Sequence, residues 1–154
     1  MASPPATVHA SAVLVGPRAV LICGPSGSGK SQLALELIEI ARTGSLPFAR
    51  LVADDRVHLE AVHGRLLVRP PEALAGLIEV RGVGLARLAH EASAVAGLVV
   101  DLAAAQDAQR LPDAASQKTE ISGVELPRLA VASGAAALPA VLAYITHAMT
   151  IPND

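Results

Sequence analysis

Residues 24–31 read Gly24-Pro25-Ser26-Gly27-Ser28-Gly29-Lys30-Ser31, a full G-x-x-x-x-G-K-[ST] phosphate-binding loop. The pattern constrains the fold because it works only where a strand turns into a helix. Ala19-Val20-Leu21-Ile22-Cys23 before it reads as a buried strand, and Gln32–Ile40 after it repeats apolar residues at helical spacing. Glycines let backbone N–H groups close around a polyphosphate, and the helix that follows points its positive end at the same place. Lys30 is placed to neutralise the outer phosphates and the Ser31 hydroxyl to ligate Mg²⁺. All eight residues of the loop, Gly24 through Ser31, are thus candidate binding residues for a nucleoside triphosphate with its Mg²⁺. The lysine count sharpens this. Only Lys30 and Lys118 occur among 154 residues, with arginine supplying the other ten cations.

Composition narrows the partners. The chain is 52% hydrophobic and 17% charged, which argues for one folded domain over residues 1–154, with residues 1–6 as a disordered tail. One Phe, one Tyr and no Trp leave no platform for stacking bases, and a net charge of −2 gives no basic footprint for nucleic acid. Cys23, the single cysteine, reads as a buried inert thiol. Residues 1–7 lack the basic and apolar regions of a signal peptide. Asp101 interrupts the apolar stretch 92–105, and Pro139 breaks 135–149, so no membrane span and a cytoplasmic location are expected.

Along the chain, His9–Val15 and Ala19–Cys23 read as strands around Gly16-Pro17. The helix starting near Gly29 should end near Thr43-Gly44-Ser45. Leu51-Val52-Ala53 is a strand ending in Asp54-Asp55. Val57–Ala61 and Leu66–Val68 flank His63-Gly64-Arg65 as a hairpin, and Pro71–Leu74 forms a helical turn. Leu77–Gly84 reads as a strand breaking into a glycine loop, Gly97–Leu102 and Leu126–Val131 as strands, Ala103–Gly123 as irregular, and Ala136–Met149 as a helix. Strands outnumber helices, so the expected fold is α/β, a phosphate-loop protein with a mixed sheet and flanking helices.

Carboxylates meet the phosphate site at Asp54-Asp55, since an acid at such a strand end reaches the Mg²⁺ shell in phosphate-loop proteins. Two adjacent acids permit a division of labour, one toward the metal and one as proton acceptor. Strand alternation sends them different ways unless the strand has already ended. Glu79 and Arg81, at i and i+2, would share one face of a strand running into Gly82-Val83-Gly84. By spacing alone, His9 and His63 are no different from ordinary histidines.

Four segments, in this order, resemble the C-terminal catalytic domain of the bacterial HPr kinase/phosphorylase family, in a short form without the N-terminal domain. They are Val8–Leu14 with its histidine, Gly24–Ser31, Leu51–Val57 with the acid pair, and Leu77–Gly84, which matches the family's signature segment. The likeness is good from His9 to Leu85, weaker to Arg128 and poor at the C-terminal end. It implies a kinase that moves the ATP γ-phosphoryl group to a serine of HPr, the carrier protein of the phosphotransferase system, and so regulates carbon and nitrogen metabolism. It also implies a homo-oligomer, the family being similar to hexamers, and a fold similar to the nucleotide domain of phosphoenolpyruvate carboxykinase. On that resemblance Lys30 holds phosphates, Ser31 and Glu79 serve Mg²⁺ with Asp54 beside them, and Asp55 is the proton acceptor. His9 is the active-site histidine, and Arg110 matches a phosphate-contacting arginine.

Two departures stand out. Thr43–Phe48 lengthens the path from phosphate loop to acid pair, which a surface connection tolerates. The family's Arg-Pro-Gly-Arg-Asn segment, linked to reverse phosphorolysis, is replaced by Val131-Ala132-Ser133-Gly134-Ala135. The expectation is a kinase with weak or absent phosphorylase activity. The alternative is a small-molecule or nucleotide kinase, which would want clustered lid arginines where these are scattered. A GTPase-like switch would need an Asn-Lys-x-Asp segment, which does not occur. A degenerate ATP-binding module would not keep Lys30, Ser31 and Asp55 together.

Overall fold

The structure is a computed structural model that describes residues 7–103, 117–132 and 136–147. In chain order it runs β1 (Thr7–Val15), β2 (Arg18–Cys23), α1 (Lys30–Arg42), β3 (Ala49–Ala53), β4 (Arg56–Val62) and β5 (Arg65–Arg69). A 3₁₀ turn (Glu72–Leu74) leads to β6 (Leu77–Val80), β7 (Gly84–Arg87), β8 (Ala94–Ala103), β9 (Lys118–Ile121), β10 (Val124–Ala132) and α2 (Ala137–His147).

Eight of these strands form one mixed sheet, in which β2 and β10 each run parallel to β8 and the other pairings are antiparallel. The pairings return on themselves: β2 to β1, β4, β5, β8 and back to β2. Side chains turned into this closed ring form one core, in which Ala10, Ala12, Ala19, Ala94 and Ala96 leave room for Leu21, Val57, Leu66 and Val68. Alanines suit an interior bounded by so few strands, where larger side chains would overpack.

Alternate residues face the other way and build a second core under the helices. Val13, Val20, Ile22, Leu98, Val100 and Leu102 of the strands meet Leu33, Ala34 and Leu37 of α1 and Val141 and Ile145 of α2. Each buried leucine there contributes roughly 1.5–3 kcal/mol relative to exposure. α1 stops where expected, with the Thr43 N–H and hydroxyl both donating to the Ile40 carbonyl and Gly44 turning at φ 89°. α2 tolerates Pro139 because it lies in the first turn, where no N–H has an intrahelical partner. Among the described residues no helix is long and apolar enough to cross a membrane.

The structure corrects three local expectations. Leu77–Val80 is one arm of a two-stranded hairpin, and the glycine loop expected after it is the turn into a second, unexpected strand, β7. Arg81 lies in its turn, so it shares no strand face with Glu79. Part of the stretch read as irregular is β9, paired antiparallel with β10.

Candidate active site

The phosphate loop follows β2, whose last residue, Cys23, sits between Ala10 of β1 and Asp101 of β8. Gly24 is required by space: a Cβ there would lie 2.6 Å from Ser28 Oγ and 3.1 Å from Leu102 Cβ. Gly29 caps α1 in a left-handed conformation at φ 97°, which a side chain would strain. Lys30 is only 7% exposed, and its ammonium donates to the carbonyls of Gly24 (2.9 Å) and Pro25 (3.2 Å). An ammonium has three protons, so one remains for a phosphate oxygen. Ser28 Oγ is buried with no partner among the described residues, a polar atom inside the loop still to be satisfied. The glycine cradle, the buried lysine and this hydroxyl fit a polyphosphate.

Asp54 joins the loop to the rest of the site. It is 6% exposed, and its Oδ1 accepts from the hydroxyls of Ser31 (2.7 Å) and Ser11 (2.7 Å). Its Oδ2 accepts from the Glu79 N–H at 3.0 Å. Three donors thus hold one buried carboxylate, as a buried charge demands. Ser31, donating to Asp54, keeps its oxygen lone pairs for a cation. Glu79 enters the site through its backbone, while its side chain stands exposed. No group of three or more His, Cys, Asp or Glu side chains placed to hold a metal occurs among the described residues. A hydroxyl with one or two carboxylates is nonetheless a set that suits Mg²⁺, which takes few protein ligands and keeps water and phosphate.

The two acids do part company, because β3 ends at Ala53 and Asp55 turns at φ 69°, a conformation Asp adopts more readily than most residues. The Asp55 N–H donates to Ser11 Oγ at 3.3 Å and its carbonyl accepts from the Ala10 N–H at 3.2 Å. Asp54 therefore points in and Asp55 out, where its carboxylate lies 3.9 Å from His9 Nδ1. That is charge-pair range and beyond hydrogen-bond length. His63 lies in the β4–β5 turn at φ 51°. Arg110 falls outside the described residues.

Sequence reasoning missed Ser11, wholly buried and bonded to both acids. The available signal was a hydroxyl on a strand whose neighbours Ala10, Ala12 and Val13 are all apolar. It also missed the partner of Arg128, whose guanidinium donates to Asp101 Oδ2 at 2.7 Å. Burial pushes the Cys23 thiol up to about 11, with the Asp101 carboxylate adding to the rise and Lys30 opposing it. The thiol is protonated near neutrality and inert.

The model of the HPr serine kinase C-terminal domain matches residues 2–146. This chain belongs to that family. The match extends into α2, beyond the segments that carried the sequence resemblance. The HPr kinase/phosphorylase of Clostridium beijerinckii is 40% identical over 83 residues, 54% of this chain and 25% of that protein. The Clostridium perfringens relative is 41% identical over an alignment of equal length. The chain therefore spans about a quarter of the length of these curated relatives. A solved structure titled HPr(Ser) kinase/phosphatase, from Coxiella burnetii, superposes with a TM-score of 0.72 at 23% identity. It covers 91% of this chain and 87% of its own, a likeness of fold.

Asp54→Asn is expected to lower stability by about 1–3 kcal/mol, because an amide cannot accept from all three donors and brings protons of its own. Urea unfolding checks this, and an unchanged midpoint would show that the network is not structural.

Proposed function

We propose that this chain is the catalytic domain of an ATP- and Mg²⁺-dependent protein-serine kinase whose acceptor is an HPr-type phosphocarrier protein. One observation carries the reading. Asp54 ties the phosphate loop, through Ser31, to the turn that holds Asp55 outward beside His9.

On this reading the loop amides and Lys30 bind the β- and γ-phosphates and hold the terminal phosphorus in line with the incoming hydroxyl. Mg²⁺, when bound, offsets phosphate charge, and Ser31 with Asp54 or Glu79 would hold it. The serine oxygen bonds to the γ-phosphorus as the bond to the bridging oxygen breaks, releasing ADP. Asp55 takes the serine proton and becomes a neutral acid, with His9 beside it at the mouth of the site. A phosphate loop on a mixed, curled sheet also supports kinship with the nucleotide domain of phosphoenolpyruvate carboxykinase. A cytoplasmic homo-oligomer working in phosphotransferase regulation belongs to the same reading.

The test is incubation with Mg·ATP and purified HPr, followed by mass spectrometry of HPr. Gain of one phosphoryl group on a serine supports the reading. ATP turnover with nucleotides or small metabolites, leaving HPr unmodified, would favour a small-molecule kinase.

The reverse reaction should be weak. Attack of inorganic phosphate on phosphoserine brings two dianions together, which needs surrounding cations. Val131 instead points into the helix-side core, residues 133–135 lie outside the described residues, and Arg128 is already partnered by Asp101. Phosphorylated HPr with phosphate and no nucleotide should release pyrophosphate far more slowly than the forward rate. Comparable rates would make the missing arginine segment dispensable.

A further inference from the structure

A protein acceptor can deliver its serine only by laying surface over the rim of the site, and a specific contact covers about 800 Å² per partner. Residues next to the chemistry must therefore touch it. The β6–β7 hairpin is part of that rim, since the Glu79 N–H is bonded to Asp54. In its register Glu79 stands opposite Leu85, Ile78 opposite Ala86 and Leu77 opposite Arg87. Opposed residues share a face, as do alternate residues along a strand. Ile78 is wholly buried and Ala86 packs on the core, so Glu79, Leu85 and Arg87 belong to the outward face.

That face is unusual. Leu85 is 73% exposed and Val83, in the turn, 78%, the two most exposed large apolar side chains among the described residues. A lone exposed leucine needs no explanation, but two at one tip beside a site residue form a patch. Arg87 is exposed and pairs with no carboxylate among the described residues. Apolar contact flanked by an available guanidinium suits a protein segment with an apolar side chain and a carboxylate.

We infer that Leu85, Val83 and Arg87 dock the acceptor protein, gripping an apolar and acidic segment next to the serine that is phosphorylated. The inference rests on the protein-kinase reading and names the surface that selects the partner. A small-molecule acceptor would leave this patch uncovered.

The experiment compares wild type, the double variant Val83→Ser/Leu85→Ser, and Arg87→Glu, all as the full chain. For each, Mg·ATP affinity, KM and kcat for HPr, and assembly size by light scattering are measured. Expected is a rise of roughly tenfold in KM for HPr in both variants, with kcat, Mg·ATP affinity and assembly size unchanged. A carboxylate-to-lysine change in HPr that restores the KM of Arg87→Glu identifies the partner charge. Wild-type phosphorylation with unchanged KM in both variants overturns the docking surface alone. A smaller assembly in either variant also overturns it, by making the hairpin a contact between copies of this chain. A wild-type chain that binds Mg·ATP but transfers nothing to HPr overturns the kinase reading and this inference with it. If the double variant does not fold, Arg87→Glu decides.

Discussion

Lys30→Ala is expected to lower the rate of phosphoryl transfer by about 10²–10³ or more, with weakened ATP binding. The size of the effect follows from where the ammonium sits. It is nearly buried and fixed by the Gly24 and Pro25 carbonyls, so it meets the phosphates without reorganising and with little water to screen it. The nearest substitute in type is distant in sequence, because Lys118 is the only other lysine and lies on β9. Lys30→Arg should rescue little, since a planar fork does not fit a space shaped for a compact point charge. A coupled assay of ADP release with HPr present reads both variants. Wild-type rates in Lys30→Ala would remove the nucleotide-site assignment.

The second large effect separates chemistry from binding. Asp55→Asn keeps the side chain's shape and the turn at φ 69°, which asparagine also tolerates, but cannot accept the serine proton. kcat should fall by about 10²–10⁴ while Mg·ATP affinity changes little. The structure supports this division because Asp55 is exposed beside His9, whereas Asp54 already accepts from Ser11, Ser31 and Glu79. Single-turnover kinetics with separately measured nucleotide affinity decide the matter. If affinity collapses together with kcat, Asp55 belongs to the metal shell instead, and the proton acceptor must be sought in Asp54 or His9.

Much of the site was legible because its chemistry is local. A phosphate loop is a run of adjacent residues with fixed φ requirements and a fixed place between strand and helix, so Gly24 to Ser31 locate β2 and α1 together. The acid pair was legible for the same reason, as a strand end followed by two carboxylates. His9 was not, because nothing in its spacing distinguishes it; family likeness singled it out, and the fold placed it against Asp55. Short polar strands were also hidden. β7 and β9, Gly-Leu-Ala-Arg and Lys-Thr-Glu-Ile, carry too little apolar alternation to register as strands, and pairing with β6 and β10 is what makes them so.

By itself, then, the chain determined an α/β phosphate-loop fold, where the loop lies, and which residues could meet a nucleotide. Tertiary structure alone decided that β8 returns to β2 and closes the sheet around an alanine-lined core. It alone decided that Ser11 bridges the two acids, that Asp54 faces in and Asp55 out, and that Arg128 pairs with Asp101. The reason is physical: phosphate-loop geometry follows from backbone freedom at consecutive residues. Which strands lie side by side, and which side chains then meet, depends on burying surface between residues far apart in the chain, and no local period records that.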